Sequence, residues 1–85
     1  MEPWKIVFDE AAFHLFTASS AFERRKLLDA FADLRTNPQR DADYEGKDAA
    51  GRILSVWAMR PFLITYWLDS FISEIRIVNI EKIKY

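Results

Sequence analysis

The segment from Gly51 to Glu81 constrains the fold of this chain more than any other part of the sequence. Arg60-Pro61 and Asp69-Ser70 are typical turn residues, and they divide the segment into stretches that alternate in polarity with the period of a β-strand. The segment has no cysteine, no histidine and no glycine after its first residue, so thiolate and imidazole chemistry are excluded within it. We therefore predict three consecutive β-strands at 53–59, 62–68 and 74–80.

The N-terminal half predicts one strand and two helices. Trp4–Phe8 is rich in β-branched and aromatic residues, and Asp9 is a candidate N-cap for a first helix. Ser20 and Glu23 have the spacing of a capping box, so a second helix is expected from there to about Arg35. We expect one side of this second helix to be apolar, namely Phe22, Leu27, Leu28, Phe31 and Leu34. Residues 39–51 are polar and without periodicity, and are predicted to be a mobile connection.

These elements predict one α+β domain over residues 1–85: an N-terminal strand, a helical hairpin, then a three-stranded antiparallel sheet with the hairpin on one face. Because side chains alternate between the faces of a strand, Phe62, Ile64, Tyr66 and Leu68 should face the helices. Leu63, Thr65 and Trp67 should then lie on the open face together with Arg76.

Composition narrows the classes of function. The chain carries 12 basic and 13 acidic side chains, a net charge of −1, so no global field attracts nucleic acid. The absence of cysteine fits a reducing compartment, and no signal peptide or membrane-spanning run is visible, which predicts a cytoplasmic protein without a membrane partner. Residues 41–46 resemble the start of a calcium loop, but Arg52 stands where that loop needs a carboxylate, so no metal and no cofactor are expected.

Cations of the predicted sheet and tail are the candidate functional groups, namely Arg52, Arg60, Arg76, Lys82 and Lys84. Guanidinium groups bind phosphate or carboxylate and stack on aromatic rings, and Trp57 and Trp67 offer such rings. Surface ion pairs with carboxylates of the same segment are the alternative, the candidates being Asp69, Glu74 and Glu81. Spacing alone leaves both interpretations open.

Several stretches together resemble the RelE/ParE superfamily, the toxins of bacterial type II toxin–antitoxin modules. They are the opening strand that ends in Asp9, the LRTNP sequence at the end of the second helix, Gly51-Arg52, the LITYWLD stretch from Leu63, and EIRIV from Glu74. The similarity covers nearly the whole chain and is closest to the ParE-like branch.

The resemblance implies a plasmid-stabilisation-type toxin, cytoplasmic and neutralised by a cognate antitoxin. RelE-type members cleave mRNA on the ribosome with sheet-borne cations and a C-terminal tyrosine or histidine, whereas ParE-type members are associated with DNA gyrase. Leu63 stands where RelE-like toxins often carry an arginine, and Tyr85 is the one terminal candidate here. We therefore expect a ParE-like toxin that binds its target through protein–protein interaction and is not an enzyme.

The resemblance places Arg52, Arg60, Trp67 and Arg76 on the target- or antitoxin-binding surface. One alternative is a ribosome-dependent endoribonuclease, whose catalytic candidates would be Arg52, Arg76, Lys82 and Tyr85. Another is a non-toxic interaction module of the same fold. We expect an apolar patch on the open face that includes Leu63, Val78 and Ile80. Either the antitoxin or a second copy of the chain in a homodimer would cover this patch.

Overall fold

The structure is a computed structural model that describes residues 4–83. The helices are α1, Glu10–Ala18, and α2, Ala21–Thr36. The strands are β1, Lys5–Phe8; β2, Tyr44–Lys47; β3, Ile53–Met59; β4, Phe62–Asp69; and β5, Glu74–Lys82. The strand–helix–helix–strands order is as predicted, which confirms the α+β architecture.

The strands form one sheet in the order β1-β5-β4-β3-β2. β1 runs parallel to β5, and the remaining neighbours are antiparallel. The parallel pairing is possible because both helices intervene between β1 and the rest of the sheet, which gives the chain enough length to return in the same direction. β1 and β2 are the two edge strands, and β4 lies at the centre.

The predicted capping box forms at the start of α2. Glu23 N–H donates to the Ser20 hydroxyl over 3.1 Å, and Ser20 N–H donates to Glu23 Oε1 over 2.9 Å. These bonds satisfy two backbone donors that have no partner within the helix, so α2 begins where the sequence specifies. Within the described part of the chain, neither helix is long and apolar enough to cross a bilayer.

The core lies between the helices and one face of the sheet. Phe62, Ile64 and Tyr66 of β4 are fully buried there, as the alternation predicted. They pack in one cluster with buried residues of α2 and β5, which include Leu27, Phe31, Leu34, Ile75 and Ile77. Neither of the two described helices covers the opposite face of β4, so Leu63, Thr65 and Trp67 remain partly exposed.

The expected apolar side of α2 is only partly buried. Leu27, Phe31 and Leu34 are in the core, but Phe22 is 70% exposed and Leu28 is 55% exposed. Positions separated by four and three residues return to the same side of a helix, whereas Leu28 is displaced from Leu27 by about 100°. The prediction was wrong for Phe22 and Leu28 because it assigned too wide a stripe to the core.

The connection between α2 and β3 contains a strand that the sequence did not predict. Tyr44–Lys47 pairs antiparallel with Ile53–Met59. All residues of β2 are exposed, so neither face of this strand has to be apolar. Its sequence YEGK therefore lacks the alternation of polar and apolar side chains that signals a strand. The unpaired edge of β3 supplies the hydrogen bonds that hold β2, and this cause lies outside the segment itself.

An irregularity in the β4–β5 pairing moves Ile80 to the core. Thr65 pairs with Asn79 and Tyr66 with Ile77, so Val78 is an extra residue on β5. Such a bulge breaks the period of two. Ile77 and Ile80, three residues apart, consequently both lie on the helix-covered face, and Ile80 is buried. The expectation that Ile80 belongs to the open face was wrong.

The burial of β4 predicts unequal effects of two adjacent substitutions. Ile64→Ala should lower the free energy of unfolding by about 2–5 kcal/mol, because it removes buried methylene and methyl groups and leaves a cavity. Leu63→Ala, the matched control on the open face, should cost clearly less. Urea denaturation followed by circular dichroism measures both, and equal losses would contradict the assignment of the two faces.

Candidate functional site

Two arginines contact one tryptophan on the open face of the sheet. Trp67 of β4 pairs directly with Arg76 of β5, so their side chains emerge on the same face. The Arg76 guanidinium carbon is 6.0 Å from the centre of the Trp67 ring, and that of Arg52 is 4.6 Å from it. Both distances fall within the range of cation–π attraction. We call Arg52, Trp67 and Arg76 the arginine–tryptophan cluster.

Asp48 positions Arg52 in this cluster. The Asp48 carboxylate accepts hydrogen bonds from the backbone N–H groups of Ala50 and Arg52, both at 2.9 Å, and from Arg52 Nε at 2.6 Å. Gly51 has a φ of 81°, a left-handed conformation that glycine adopts without strain, and this lets the chain turn tightly before β3. The Arg52 hydrogen bonds lower the pKa of Asp48, the backbone donor contributing most.

Arg76 is held by two carboxylates on the same face. Its Nη1 lies 3.3 Å from Glu74 Oε1, and its Nη2 lies 3.6 Å from Asp9 Oδ1. Asp9 precedes α1 at the N-cap position, but its side chain makes no capping hydrogen bond. The prediction of a capping role for the Asp9 carboxylate was therefore wrong. The parallel pairing of β1 with β5 brings that carboxylate towards Arg76 instead.

The charge of the cluster is balanced within the chain. Asp9, Asp48 and Glu74 face its two guanidinium groups, so this surface is not an unopposed cationic patch. The sequence left open whether the arginines of the sheet form surface ion pairs or stack on aromatic rings. Arg52 and Arg76 do both, since each pairs with a carboxylate and lies beside the Trp67 ring. Exposed pairs of this kind contribute about 0–1 kcal/mol each, so a partner that offers better hydrogen-bond geometry can displace them.

The other candidate residues do not join the cluster. Arg60 lies in the turn between β3 and β4, at the opposite end of β4 from Trp67. Lys82 pairs with Phe62 in the sheet and forms an ion pair with Glu23 at the start of α2. Tyr85 and Lys84 lie outside the described residues.

Trp57 does not offer the open stacking surface that the sequence suggested. It pairs with Ile64 and therefore points towards the core, where it is only 8% exposed. The Arg40 guanidinium carbon lies 3.9 Å from the centre of its ring and covers it. Tyr66 is also on this face, and burial raises the pKa of its hydroxyl group. Of the two tryptophans in the sheet, only Trp67 therefore lies on the open face.

Sequence reasoning missed Asp9 and Asp48 as partners of the cluster. The sequence does contain a signal for Asp48. A short polar side chain shortly before a glycine, here Gly51, is typical of a turn in which that side chain binds the backbone N–H groups that follow. Asp9 carries no such signal, since its proximity to Arg76 depends on β1 lying beside β5.

Comparisons with known proteins agree with this architecture. The RelE toxin of E. coli superposes with a TM-score of 0.79 at 13% identity, over 96% of this chain and 86% of that one. The chain has the fold of the RelE toxins. A RelBE2 toxin–antitoxin complex from Mycobacterium tuberculosis matches with a TM-score of 0.74 at 17% identity, covering 95% of this chain and 99% of that one.

A third similar structure with the RelE-like fold is the archaeal RelE–RelB complex from Pyrococcus horikoshii. Its TM-score is 0.72 at 11% identity, with 93% of each chain covered. No protein-family model matches the sequence, and no curated protein is significantly similar to it. The resemblance read from the sequence is thus confirmed as a fold, and identities this low leave function to be argued from the residues.

Removal of the Asp48 carboxylate should release Arg52 within the RelE-like fold. We expect Asp48→Ala to shift the indole N–H resonance of Trp67 in NMR spectra, because the nearby guanidinium is no longer held over the ring. The Trp57 resonance, from a residue covered by Arg40, is the internal control. An unchanged Trp67 resonance would show that Asp48 does not position Arg52.

The ion pair between Glu23 and Lys82 predicts a loss of stability in acid. The Lys82 ammonium, together with the Ser20 donors, lowers the pKa of Glu23 from 4.5 to about 2. Because the folded state lowers the pKa of Glu23, the ionised carboxylate stabilises the fold at pH values above 4.5, and this stabilisation disappears as the pH falls towards 2. Glu23→Gln should therefore melt below the wild type at neutral pH and approach it in acid.

Lys82→Gln tests the same contact from the other side. Thermal unfolding at several pH values should show the same convergence with the wild type as the pH falls. A melting-temperature difference that stays constant down to the lowest pH would contradict the contribution of the ion pair.

Proposed function

We propose that this protein is the toxin component of a type II toxin–antitoxin module. It is ParE-like in action: it inhibits bacterial growth by binding a macromolecular target such as DNA gyrase, and a cognate antitoxin neutralises it in the cytoplasm. The observation that carries the proposal is the arginine–tryptophan cluster on the uncovered face of a RelE-like sheet.

The chemistry of the cluster supports binding over catalysis. Guanidinium groups remain protonated at all physiological pH values, and an indole only donates a hydrogen bond, so neither accepts a proton from a nucleophile. The single histidine of the chain, His14, lies on α1 beside Glu10 and not on the sheet. RNA cleavage requires a base near the attacked hydroxyl group. A binding surface requires only what the cluster provides: an aromatic anchor between charged groups.

The charge balance favours a protein target over RNA. Phosphate contacts dominate nucleic-acid affinity, and each must be made by a cation free to approach the backbone. Here Asp9, Asp48 and Glu74 surround the two guanidinium groups and would repel phosphates. A protein surface can offer both carboxylates and donors to such a mixed set.

An antitoxin is the partner that would cover this surface when the toxin is inactive. The similar structures include RelE toxins in complex with RelB antitoxins. The open face carries half-buried apolar side chains along β4, from Leu63 near its start to Trp67 of the cluster near its end. Such a face gains stability when a second chain removes it from water.

A ribosome-dependent endoribonuclease is the second candidate. It is favoured by the position of Arg52 and Arg76 beside the same tryptophan ring, since guanidinium groups on an open face can stabilise charge that develops on a phosphate. Lys82, expected to take part in that chemistry, instead contacts Glu23 on the helix-covered side.

Induced expression in a host without the antitoxin tests the proposal. The wild-type protein should arrest growth, with intact mRNA and altered plasmid supercoiling. Arg76→Gln and Trp67→Ala should each relieve the arrest, because loss of a central anchor residue costs about 2 kcal/mol or more, roughly a thirtyfold drop in affinity. Arg25→Gln, the matched charge removal at an exposed position of α2, should arrest growth like the wild type.

The outcomes separate the candidates. Shortened mRNA would indicate the endoribonuclease and contradict target binding alone. Full arrest by Arg76→Gln and Trp67→Ala, with circular dichroism showing both folded, would exclude the cluster as the target surface. Absence of any growth effect from the wild type would indicate a non-toxic interaction module.

A further inference from the structure

Two large apolar side chains project from the turn between β4 and β5. Phe71 is fully exposed, and its neighbour Ile72 is more than half exposed. Two hydrogen bonds hold the turn: Phe71 N–H donates to Asp69 Oδ1 over 3.2 Å, and Lys5 N–H donates to Ser73 O over 2.9 Å. Ser73 has a φ of 53°, an uncommon conformation for a residue other than glycine. We call residues 70–73 the Phe71 turn.

An apolar groove opens beside β1, near the Phe71 turn. It has a volume of about 470 Å³, and Ile6, Phe8, Leu28 and Phe31 line its apolar part. Leu28, like Phe22, is a residue of α2 that was expected on the buried side and is instead largely exposed. The volume of the groove is large enough to receive large side chains, since pockets of about 300–1,000 Å³ hold small-molecule ligands.

The groove and the turn have opposite charges at their rims. Lys5 and Arg35 border the groove. Asp69 precedes the Phe71 turn, and Glu74, which follows it, is paired with Arg76 of the same chain. The turn is joined to the start of β1 through the Lys5–Ser73 hydrogen bond, and Arg35 Nε donates to Trp4 O over 2.8 Å at the same end of the sheet. One edge of the molecule therefore carries both an apolar projection with an acidic residue, Asp69, beside it and an apolar groove with basic flanks.

We propose that this edge binds a second copy of the chain. In the resulting twofold dimer, Phe71 and Ile72 of each protomer enter the groove of the other, and Asp69 approaches Lys5 and Arg35 across the interface. A twofold contact requires one patch that complements itself, and an edge with both a projection and its matching groove meets that requirement. β1 is an edge strand, and no other strand within residues 4–83 pairs with its outer side.

This dimer is independent of the proposed toxin activity. It uses the turn and the β1–α2 groove, whereas the target surface uses the arginine–tryptophan cluster. A failure of the growth assay therefore leaves the dimer to be judged by its own measurement, and loss of the dimer does not affect the argument from the cluster.

Sedimentation equilibrium of the purified chain tests the proposal across a range of concentrations. The wild type should be a dimer that dissociates on dilution, and Phe71→Ser and Leu28→Ser should each weaken it by about tenfold or more. Both residues are exposed in the monomer, so circular dichroism should show unchanged folding. Phe22→Ser, a matched change of an exposed aromatic residue on α2, should dimerise like the wild type.

Mixing the two weakened variants gives the sharpest test. A twofold dimer has two equivalent contacts, each between Phe71 of one protomer and the groove of the other, and each mutant homodimer has both of them damaged. The mixed dimer retains one intact contact, because the Leu28→Ser chain supplies an intact Phe71 and the Phe71→Ser chain supplies an intact groove. Native mass spectrometry should therefore find the mixed dimer tighter than either mutant homodimer. A monomeric wild type, equal weakening by Phe22→Ser, or a mixed dimer no tighter than both homodimers would overturn the proposal.

Discussion

Burial of one face of β4 beneath the helices is the constraint on which the rest of this structure depends. Phe62, Ile64 and Tyr66 are all almost completely inaccessible to solvent. Full burial of such side chains contributes about 1.5–3 kcal/mol each. A shift of register by one residue would bring Leu63, Thr65 and Trp67 to the helices instead. The register is therefore strongly determined, and with it the side on which Trp67 is presented.

The arginine–tryptophan cluster follows from that register and from two local arrangements. The β4–β5 pairing places Arg76 directly beside Trp67, and the turn capped by Asp48 delivers Arg52 from the start of β3. The cluster thus combines residues from separate parts of the chain on a rigid sheet. Sites on strands are held more precisely than sites on flexible loops, which suits the binding role proposed for the cluster.

Much of the fold could be predicted because its signals are local. The alternation in β4 identified its buried residues, and Ser20 with Glu23 identified the start of α2. β2 could not be predicted in this way, since its exposed residues pair with β3 without any pattern of their own. Ile80 was misplaced because the extra residue Val78 interrupts an alternation that looks regular in sequence.

The sequence by itself determined the order of the helices and of every strand except β2, the face on which Trp67 and Arg76 lie, and the near-neutral net charge. These properties follow from the spacing of polar and apolar residues and from composition, neither of which depends on which segments become neighbours in the fold. Only the tertiary structure decided that Asp9 approaches Arg76, that Lys82 and Arg60 lie apart from the cluster, and that the Phe71 turn adjoins a groove. Each depends on which strands become neighbours, and that choice is made by burial of the whole core and not by any one segment.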